Sequence, residues 1–175
     1  MGNKNYLKQP WISPKAEVKN SPTHGLGLFA KESIKEGEVA VIWGGNFVNE
    51  VEAQKAERQG KAVQKIDDDL FDVFDYDKRH DDPTYNHNHS CNPNTWMKDE
   101  VAIIAKHDIE PGEELTIDYA MFVIDDEYVL PGDCQCDSPL CRHTITGKDW
   151  RRKDLQEKYR GHFSPFLKRQ IAKLV

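Results

Sequence analysis

The sequence lacks any long apolar run. Charged residues make up 31% of its 175 residues, and no stretch approaches the roughly 18 consecutive apolar residues that a membrane-spanning helix needs. Residues 1–19 also lack the apolar segment of a secretory signal. We therefore predict a soluble, intracellular protein without a membrane partner, in a compartment that keeps thiols reduced.

Positive charge is also in short supply. The chain has 24 Lys and Arg against 30 Asp and Glu, for a formal net charge of −6, which argues against direct nucleic-acid binding. Much of the negative charge lies in residues 66–82, here called the acidic stretch, whose aspartates are Asp67, Asp68, Asp69, Asp72, Asp75, Asp77, Asp81 and Asp82. Such a stretch is either a solvated face or a surface that attracts a basic peptide.

The chain shows no alternation of strands with long helices, which excludes a doubly wound nucleotide-binding fold. Short strands are predicted at residues 16–18, 28–30, 39–43, 70–76, 101–105 and 115–119. A helix is predicted at residues 51–59, before Gly60. From residue 148 the period becomes helical, and Ser164-Pro165 has the form of an N-cap followed by proline at the first helical position. The pattern predicts a mainly β fold with a helical tail.

Cysteine is scarce but unevenly placed. Three of the four cysteines form the cluster Cys134-x-Cys136-x4-Cys141, and Cys91 lies far upstream. Four thiolates complete the tetrahedral shell of a structural Zn²⁺ ion. Disulfides fit poorly in a reducing compartment. We predict one structural zinc ion, with free or redox-active thiols as the alternative.

Residues 85–94 concentrate amides and imidazoles next to Cys91. His87 and His89 stand two apart, but no third ligand accompanies them at a spacing suited to a metal. The segment is therefore either a polar turn or a ligand site that offers hydrogen-bond donors and acceptors.

Four motifs occur in a fixed order. They are His-Gly-Leu-Gly-Leu-Phe-Ala at 24–30, Asn-His-Ser-Cys-Asn-Pro-Asn at 88–94, Gly-Glu-Glu-Leu-Thr-Ile-Asp-Tyr at 112–119, and the cysteine cluster followed by Arg142. In this order the chain resembles the SET-domain protein lysine methyltransferases. The resemblance covers residues 16–143. It departs from the family pattern at Leu26, where an aromatic residue is common, and at residues 85–87, which are more polar than usual.

The resemblance implies a fold and a domain order. The fold is the SET-domain β-clip fold, made of short strands and small sheets in a pseudoknot-like arrangement, with a zinc-bound post-SET segment and C-terminal helices. No Cys-rich pre-SET region precedes residue 16. The implied organisation is a loose lead-in (1–15), a SET domain (16–122) with a variable insert (46–83), a post-SET zinc segment (130–147) and a helical tail (148–175).

The resemblance also implies the chemistry. S-adenosylmethionine would donate a methyl group to a lysine ε-amine, with Tyr119 as the catalytic residue and with Ile117 and Tyr119 lining the substrate-lysine channel. Ile117 carries no hydroxyl, which leaves room for more than one methyl group. One zinc ion would be held by Cys91, Cys134, Cys136 and Cys141. The implied cofactor-binding residues are Gly25, Leu26, Gly27, Tyr85, Asn88, His89, Tyr119 and Leu140.

Two other functions remain open at this point. A non-catalytic SET-like, zinc-supported module could bind a peptide without turning it over, and a structural zinc protein could use its basic C-terminal helices to contact a partner. For the enzyme, the expected substrate is a lysine-containing, basic protein segment. The sequence leaves the substrate protein and the oligomeric state open.

Overall fold

The computed structural model describes residues 5–174, so Met1–Lys4 of the predicted lead-in and Val175 of the predicted tail lie outside the described residues. The strands are β1 (Trp11–Ile12), β2 (Ala16–Asn20), β3 (Leu26–Ala30), β4 (Val39–Ile42), β5 (Phe47–Val48), β6 (Ala62–Asp67), β7 (Leu70–Phe74), β8 (Asn88–His89), β9 (Thr95–Met97), β10 (Ala102–Ala105) and β11 (Glu114–Ile117). The α-helices are α1 (Glu50–Arg58), α2 (Lys153–Lys158) and α3 (Pro165–Ala172). Short 3₁₀ helices span Tyr76–Asp81, Pro83–Asn86, Tyr119–Met121 and Asp149–Arg151.

The described strands form three small sheets. Their strand orders are β1-β4-β10-β9, β2-β3-β11-β8 and β5-β7-β6. Strand β8 runs parallel to β11, whereas the other strand pairs are antiparallel. The predicted mainly β fold of short strands and small sheets, followed by C-terminal helices, is confirmed. Within residues 5–174, no helix has the length and apolar character needed to cross a bilayer.

Several residues of the predicted lead-in make defined contacts with the rest of the fold. Trp11 and Ile12 pair with Ile42 and Val41 and thereby extend the first sheet. The Tyr6 hydroxyl donates a hydrogen bond to Glu100 at 2.7 Å. A two-residue strand carries too little pattern to be read from sequence.

The strand predicted at 115–119 ends two residues early. Asp118 accepts a hydrogen bond from the Ala120 N–H at 3.0 Å and thus caps the 3₁₀ helix Tyr119–Met121. The aspartate therefore diverts the chain out of the sheet and places Tyr119 on a turn.

The helical tail packs into the same core as the first two sheets. Tyr159 and Leu167 are fully buried there with Leu28, Ile103 and Leu115. The helix expected from residue 148 is interrupted, because Arg152 is extended (φ −70°, ψ 128°) between Asp149–Arg151 and α2. The cap predicted at Ser164 is confirmed: its side chain accepts from the Leu167 N–H at 3.4 Å.

Part of the acidic stretch is neutralised within the chain. Arg169 of α3 forms ion pairs with Asp67 and Asp68 at the end of β6. Lys61 pairs with Asp75. Helix α3 is therefore attached to the insert that carries β6 and β7.

Candidate active site

The parallel pairing of β8 with β11 brings two of the sequence motifs together. Asn88 lies opposite Thr116 and His89 lies opposite Ile117. On its other edge, β11 pairs antiparallel with β3, the strand that contains Leu26 and Gly27. Three segments that are remote in sequence thus meet at one place in the second sheet.

The Asn88 side chain contacts the turn before β3 directly. Its Nδ2 donates to the carbonyl oxygens of Leu26 at 2.9 Å and His24 at 3.3 Å, and to Glu114 Oε1 at 2.7 Å. Gly25 has φ 53°, a conformation that favours glycine. The Leu26 side chain is 49% exposed, which leaves the outer surface of this turn accessible to a ligand.

Tyr119 is held from both sides by the β8 region. Its backbone N–H donates to His89 Nδ1 at 3.2 Å, and its hydroxyl donates to the His87 carbonyl oxygen at 3.3 Å. Because Nδ1 of His89 is an acceptor, the ring hydrogen sits on Nε2, which lies 3.3 Å from Cys91 Sγ. Burial lowers the pKa of His89 to about 4, so this ring is neutral at pH 7.

A cavity of about 930 Å³ opens beside Tyr119. Ile117, which is 1% exposed, contributes to its wall. Tyr119 makes edge-to-face contacts with Phe122 at 5.4 Å and Tyr128 at 6.3 Å. The other aromatic residues that line the cavity are Trp43, Phe47, Phe74 and Tyr85. The aromatic part of this lining, together with Ile117, suits a long aliphatic side chain, and desolvation there disfavours the charged form of an amine. Part of the remaining lining is charged.

The four cysteines converge at the other end of the site. Their Sγ atoms all lie within 4.8 Å of one another, and tetrahedral Zn–S bonds of about 2.3 Å place sulfurs about 3.8 Å apart. Burial raises the pKa of Cys91 to about 11. Burial also acts to raise the pKa of Cys136, but hydrogen bonds lower it to about 7. A cation at this position would displace the remaining thiol protons.

Comparison with known proteins agrees with this geometry. The family model described as SET domain matches residues 25–120, which is more than half of the chain. The chain belongs to the SET domain family. Its SET domain thus contains all three segments that meet around Asn88 and Tyr119.

The chain is similar to parts of much longer proteins. It is 34% identical over 141 residues to histone-lysine N-methyltransferase 2B of Homo sapiens, covering 73% of this chain and 5% of that protein. It is 32% identical over 166 residues to histone-lysine N-methyltransferase TRX1 of Oryza sativa subsp. japonica, covering 83% of this chain and 16% of that protein. A third relative is the H3 lysine-4 specific histone-lysine N-methyltransferase of Mycosarcoma maydis. The two are 34% identical over 137 residues, which cover 71% of this chain and 9% of that protein. The matched region is thus a small part of each of these relatives.

A buried ionic network joins the SET domain to the cysteine segment. The Arg142 guanidinium donates two hydrogen bonds to Asp118, at 2.6 and 2.7 Å, and one to Asp149 at 3.0 Å. The Arg142 backbone N–H donates to Cys91 Sγ at 3.3 Å, and the Tyr159 hydroxyl donates to Asp118 at 2.8 Å. Burial acts to raise the pKa of Asp118, but Arg142 outweighs it and holds that pKa below its ordinary value.

The predicted site residues divide into groups. Asn88, Gly25, Leu26 and Gly27 meet in one set of contacts, and Tyr119 joins them through the paired strands. Tyr85, predicted to bind the cofactor, lies instead along the cavity with its ring 6.3 Å from that of Phe74. Leu140 is 60% exposed in the cysteine segment. The cofactor-binding roles of Tyr85 and Leu140 stay predictions.

Sequence reasoning missed several residues of the site. Glu114 belongs to the motif at residues 112–119, but the sequence does not reveal that this carboxylate accepts a hydrogen bond from Asn88. His87 also stands out, since its buried Nδ1 has no hydrogen-bond partner among the described residues. Its Nε2 lies 3.1 Å from Thr95 Oγ1, whose hydroxyl donates to the Thr116 carbonyl. Nε2 therefore carries the ring hydrogen, and burial lowers the pKa of His87 to about 3.

Proposed function

We propose that this SET domain is an S-adenosylmethionine-dependent protein-lysine N-methyltransferase. The observation that carries the proposal is the position of Tyr119, which lines the aromatic cavity and whose hydroxyl donates to the carbonyl of His87, the residue before Asn88. The names of the three relatives, all histone-lysine N-methyltransferases, support the same activity.

The proposed donor site lies around Asn88. When bound, S-adenosylmethionine supplies a methyl group activated on a sulfonium. Asn88 would hold the methionine end of the donor, and the main chain at Gly25, Leu26 and Gly27 would approach it closely because two of the three residues lack a side chain. His89 would contribute its backbone, and Tyr85 and Leu140 would contribute further contacts to the donor.

Tyr119 would act on the incoming amine. Its hydroxyl hydrogen is engaged by the His87 carbonyl, so the phenol oxygen can accept a hydrogen bond from an ε-amine N–H. A free lysine has a pKa of about 10.4 and must lose a proton before it can attack. The aromatic walls of the cavity favour the neutral amine by desolvation. Alignment of the amine with the methyl group supplies a further share of the rate enhancement.

Ile117 would set the room for methyl groups. It lies on the wall of the cavity without a hydroxyl that could fix a water molecule beside the amine. We propose that the enzyme can therefore add more than one methyl group.

The proposed substrate is a basic protein segment that carries the target lysine. Acidic side chains outnumber basic ones around the cavity: Glu57, Asp72, Asp82 and Asp125 against Lys61 and Lys65. Because Asp67 and Asp68 already pair with Arg169, the attraction for a basic peptide would come chiefly from the cavity acids. The names of the relatives make histones the first substrates to test.

We propose that Cys91, Cys134, Cys136 and Cys141 bind one structural zinc ion. Four thiolates fill the shell and leave no open position for chemistry. The ion would attach the post-SET segment (130–147) to the SET domain (16–122) beside the donor site, with residues 148–174 of the helical tail packed behind it. We also propose an intracellular location, because a reducing compartment keeps cysteines available to bind a metal ion.

The activity can be tested with the full chain, labelled S-adenosylmethionine and core histones or a source-cell extract, followed by mass spectrometry of labelled bands. The proposal predicts label on lysine ε-amines and products with more than one methyl group. Histone or peptide binding without transfer, in protein that still binds the donor, would favour the non-catalytic module instead. Exclusively monomethylated product would contradict the role proposed for Ile117.

A further inference from the structure

Glu114 occupies a central position behind the proposed donor site. This half-buried residue of β11 accepts a hydrogen bond from Asn88 Nδ2 on Oε1 at 2.7 Å and one from the Ser21 hydroxyl on Oε2 at 2.8 Å. Ser21 lies at the start of the turn that leads into β3, and its backbone N–H donates to the Gly25 carbonyl at 2.8 Å. One carboxylate therefore joins the turn and Asn88.

The surroundings of Asn88 fix which way its amide faces. The Leu26 carbonyl, the His24 carbonyl and the Glu114 carboxylate surround Nδ2, and all three offer only acceptor oxygens. A flipped amide would set its own oxygen against these acceptors. The donor nitrogen must therefore face inward, which leaves Oδ1 on the opposite side of the amide as a hydrogen-bond acceptor.

The close approach of the Glu114 carboxylate requires glycine at position 27. A Cβ at this position would lie 2.2 Å from Glu114 Oε1 and 2.9 Å from its Cδ. Since Glu114 is held by Asn88 and Ser21, its carboxylate cannot move aside without losing those bonds. The second glycine of the motif thus makes room for the carboxylate.

We propose that Glu114 is a positioning residue of the donor site. It keeps Asn88 Oδ1 turned away from the three acceptors around Nδ2, where that oxygen would accept a hydrogen bond from an ammonium-bearing ligand, and it holds the 21–27 turn against Asn88. The inference rests on the proposed function, in which the ligand is the methionine end of S-adenosylmethionine. Glu114 itself does not touch the reacting atoms.

Measurements of donor affinity test whether the acceptor oxygens of Glu114 hold Asn88 in place. In calorimetric titrations with S-adenosylmethionine, we expect Glu114→Ala to weaken binding by about tenfold or more, the range for a lost hydrogen bond to a charged group. Glu114→Gln keeps an acceptor for Asn88 and an N–H for the Ser21 oxygen, so it should bind within about threefold of wild type. Gly27→Ala should resemble Glu114→Ala, and Glu113→Gln, an exposed neighbour, serves as the matched control. In kinetics, the KM for the donor should rise with little change in the KM for the peptide.

A second readout does not depend on donor binding. The Asn88 side-chain amide hydrogens, followed by NMR, should exchange slowly with solvent in wild type and in Glu114→Gln, and faster in Glu114→Ala. Equal exchange in all three proteins would overturn the inference, as would equal donor affinity of wild type and a folded Glu114→Ala. Equal losses in the Gln and Ala variants would also overturn it. If wild type fails to bind the donor, the proposed function fails, and the exchange measurement decides the inference alone.

Discussion

Replacement of Arg142 by alanine is expected to destabilise the protein strongly. The Asp118 side chain is 0% exposed and that of Arg142 is 6% exposed, so Arg142→Ala leaves a buried carboxylate with only the Tyr159 hydroxyl and the Ala120 N–H as hydrogen-bond partners among those described here. Removing one partner of a buried ion pair typically costs about 3–5 kcal/mol. The loss should include the contact between the SET domain and the cysteine segment.

The assay is urea unfolding at neutral pH with fixed zinc, followed by tryptophan fluorescence. With an m-value of about 2 kcal/mol per M, the midpoint should fall by about 1.5–2.5 M. The matched control is Arg151→Ala, whose pair with Asp126 has side chains 40% and 42% exposed and should contribute about 1 kcal/mol or less. An Arg142→Ala midpoint within about 0.5 M of wild type would show that the buried pair contributes little to stability.

Three further outcomes are expected. Acidification from about pH 7.5 to 5.5 should lower the free energy of unfolding by about 1.4 kcal/mol through His87 alone. Burial lowers the pKa of His87 in the folded protein to about 3, so in this pH range only the unfolded chain binds a proton on that ring. His87→Leu should therefore reduce this pH dependence, and an unchanged slope would contradict it. Chelation should release one zinc ion per chain, as measured by elemental analysis, and lower the melting temperature. Cys91→Ser should likewise lower the zinc content and the melting temperature. Metal-free protein of unchanged stability would contradict the zinc site. Ile117→Tyr should shift products toward monomethyl-lysine in mass spectra, and an unchanged product distribution would argue against a channel at Ile117.

The sequence was most informative where it carries the family motifs. Asn88 and Tyr119 could be assigned to one site because their motifs resemble those of the SET-domain family. The parallel pairing of β8 with β11, which brings the two segments together, could not be read from the pattern, because a two-residue strand at Asn88–His89 carries too little of it. The convergence of Cys91 with the distant cluster was likewise predictable, because four thiolates complete a tetrahedral zinc shell and the resemblance implies that all four cysteines share one ion.

The remaining features depend on contacts between distant residues. Strand β1 has two residues, and its pairing with β4 is determined by packing rather than by pattern. The ion pairs of Arg169 with Asp67 and Asp68 join residues 102 and 101 positions apart, so the acidic stretch could not be assigned from charge alone. The role of Glu114 was also hidden, because a carboxylate in a motif does not indicate which amide it meets.

The most direct test of the account is single-turnover transfer of a deuterated methyl group from S-adenosylmethionine to a lysine peptide by wild type and Tyr119→Phe, with donor affinity measured in parallel. Wild type should label the ε-amine, and Tyr119→Phe should do so at least about 100-fold more slowly, with donor affinity nearly unchanged. Tyr6→Phe, whose hydroxyl bonds Glu100, should behave as wild type. Transfer by Tyr119→Phe at the wild-type rate would contradict the account.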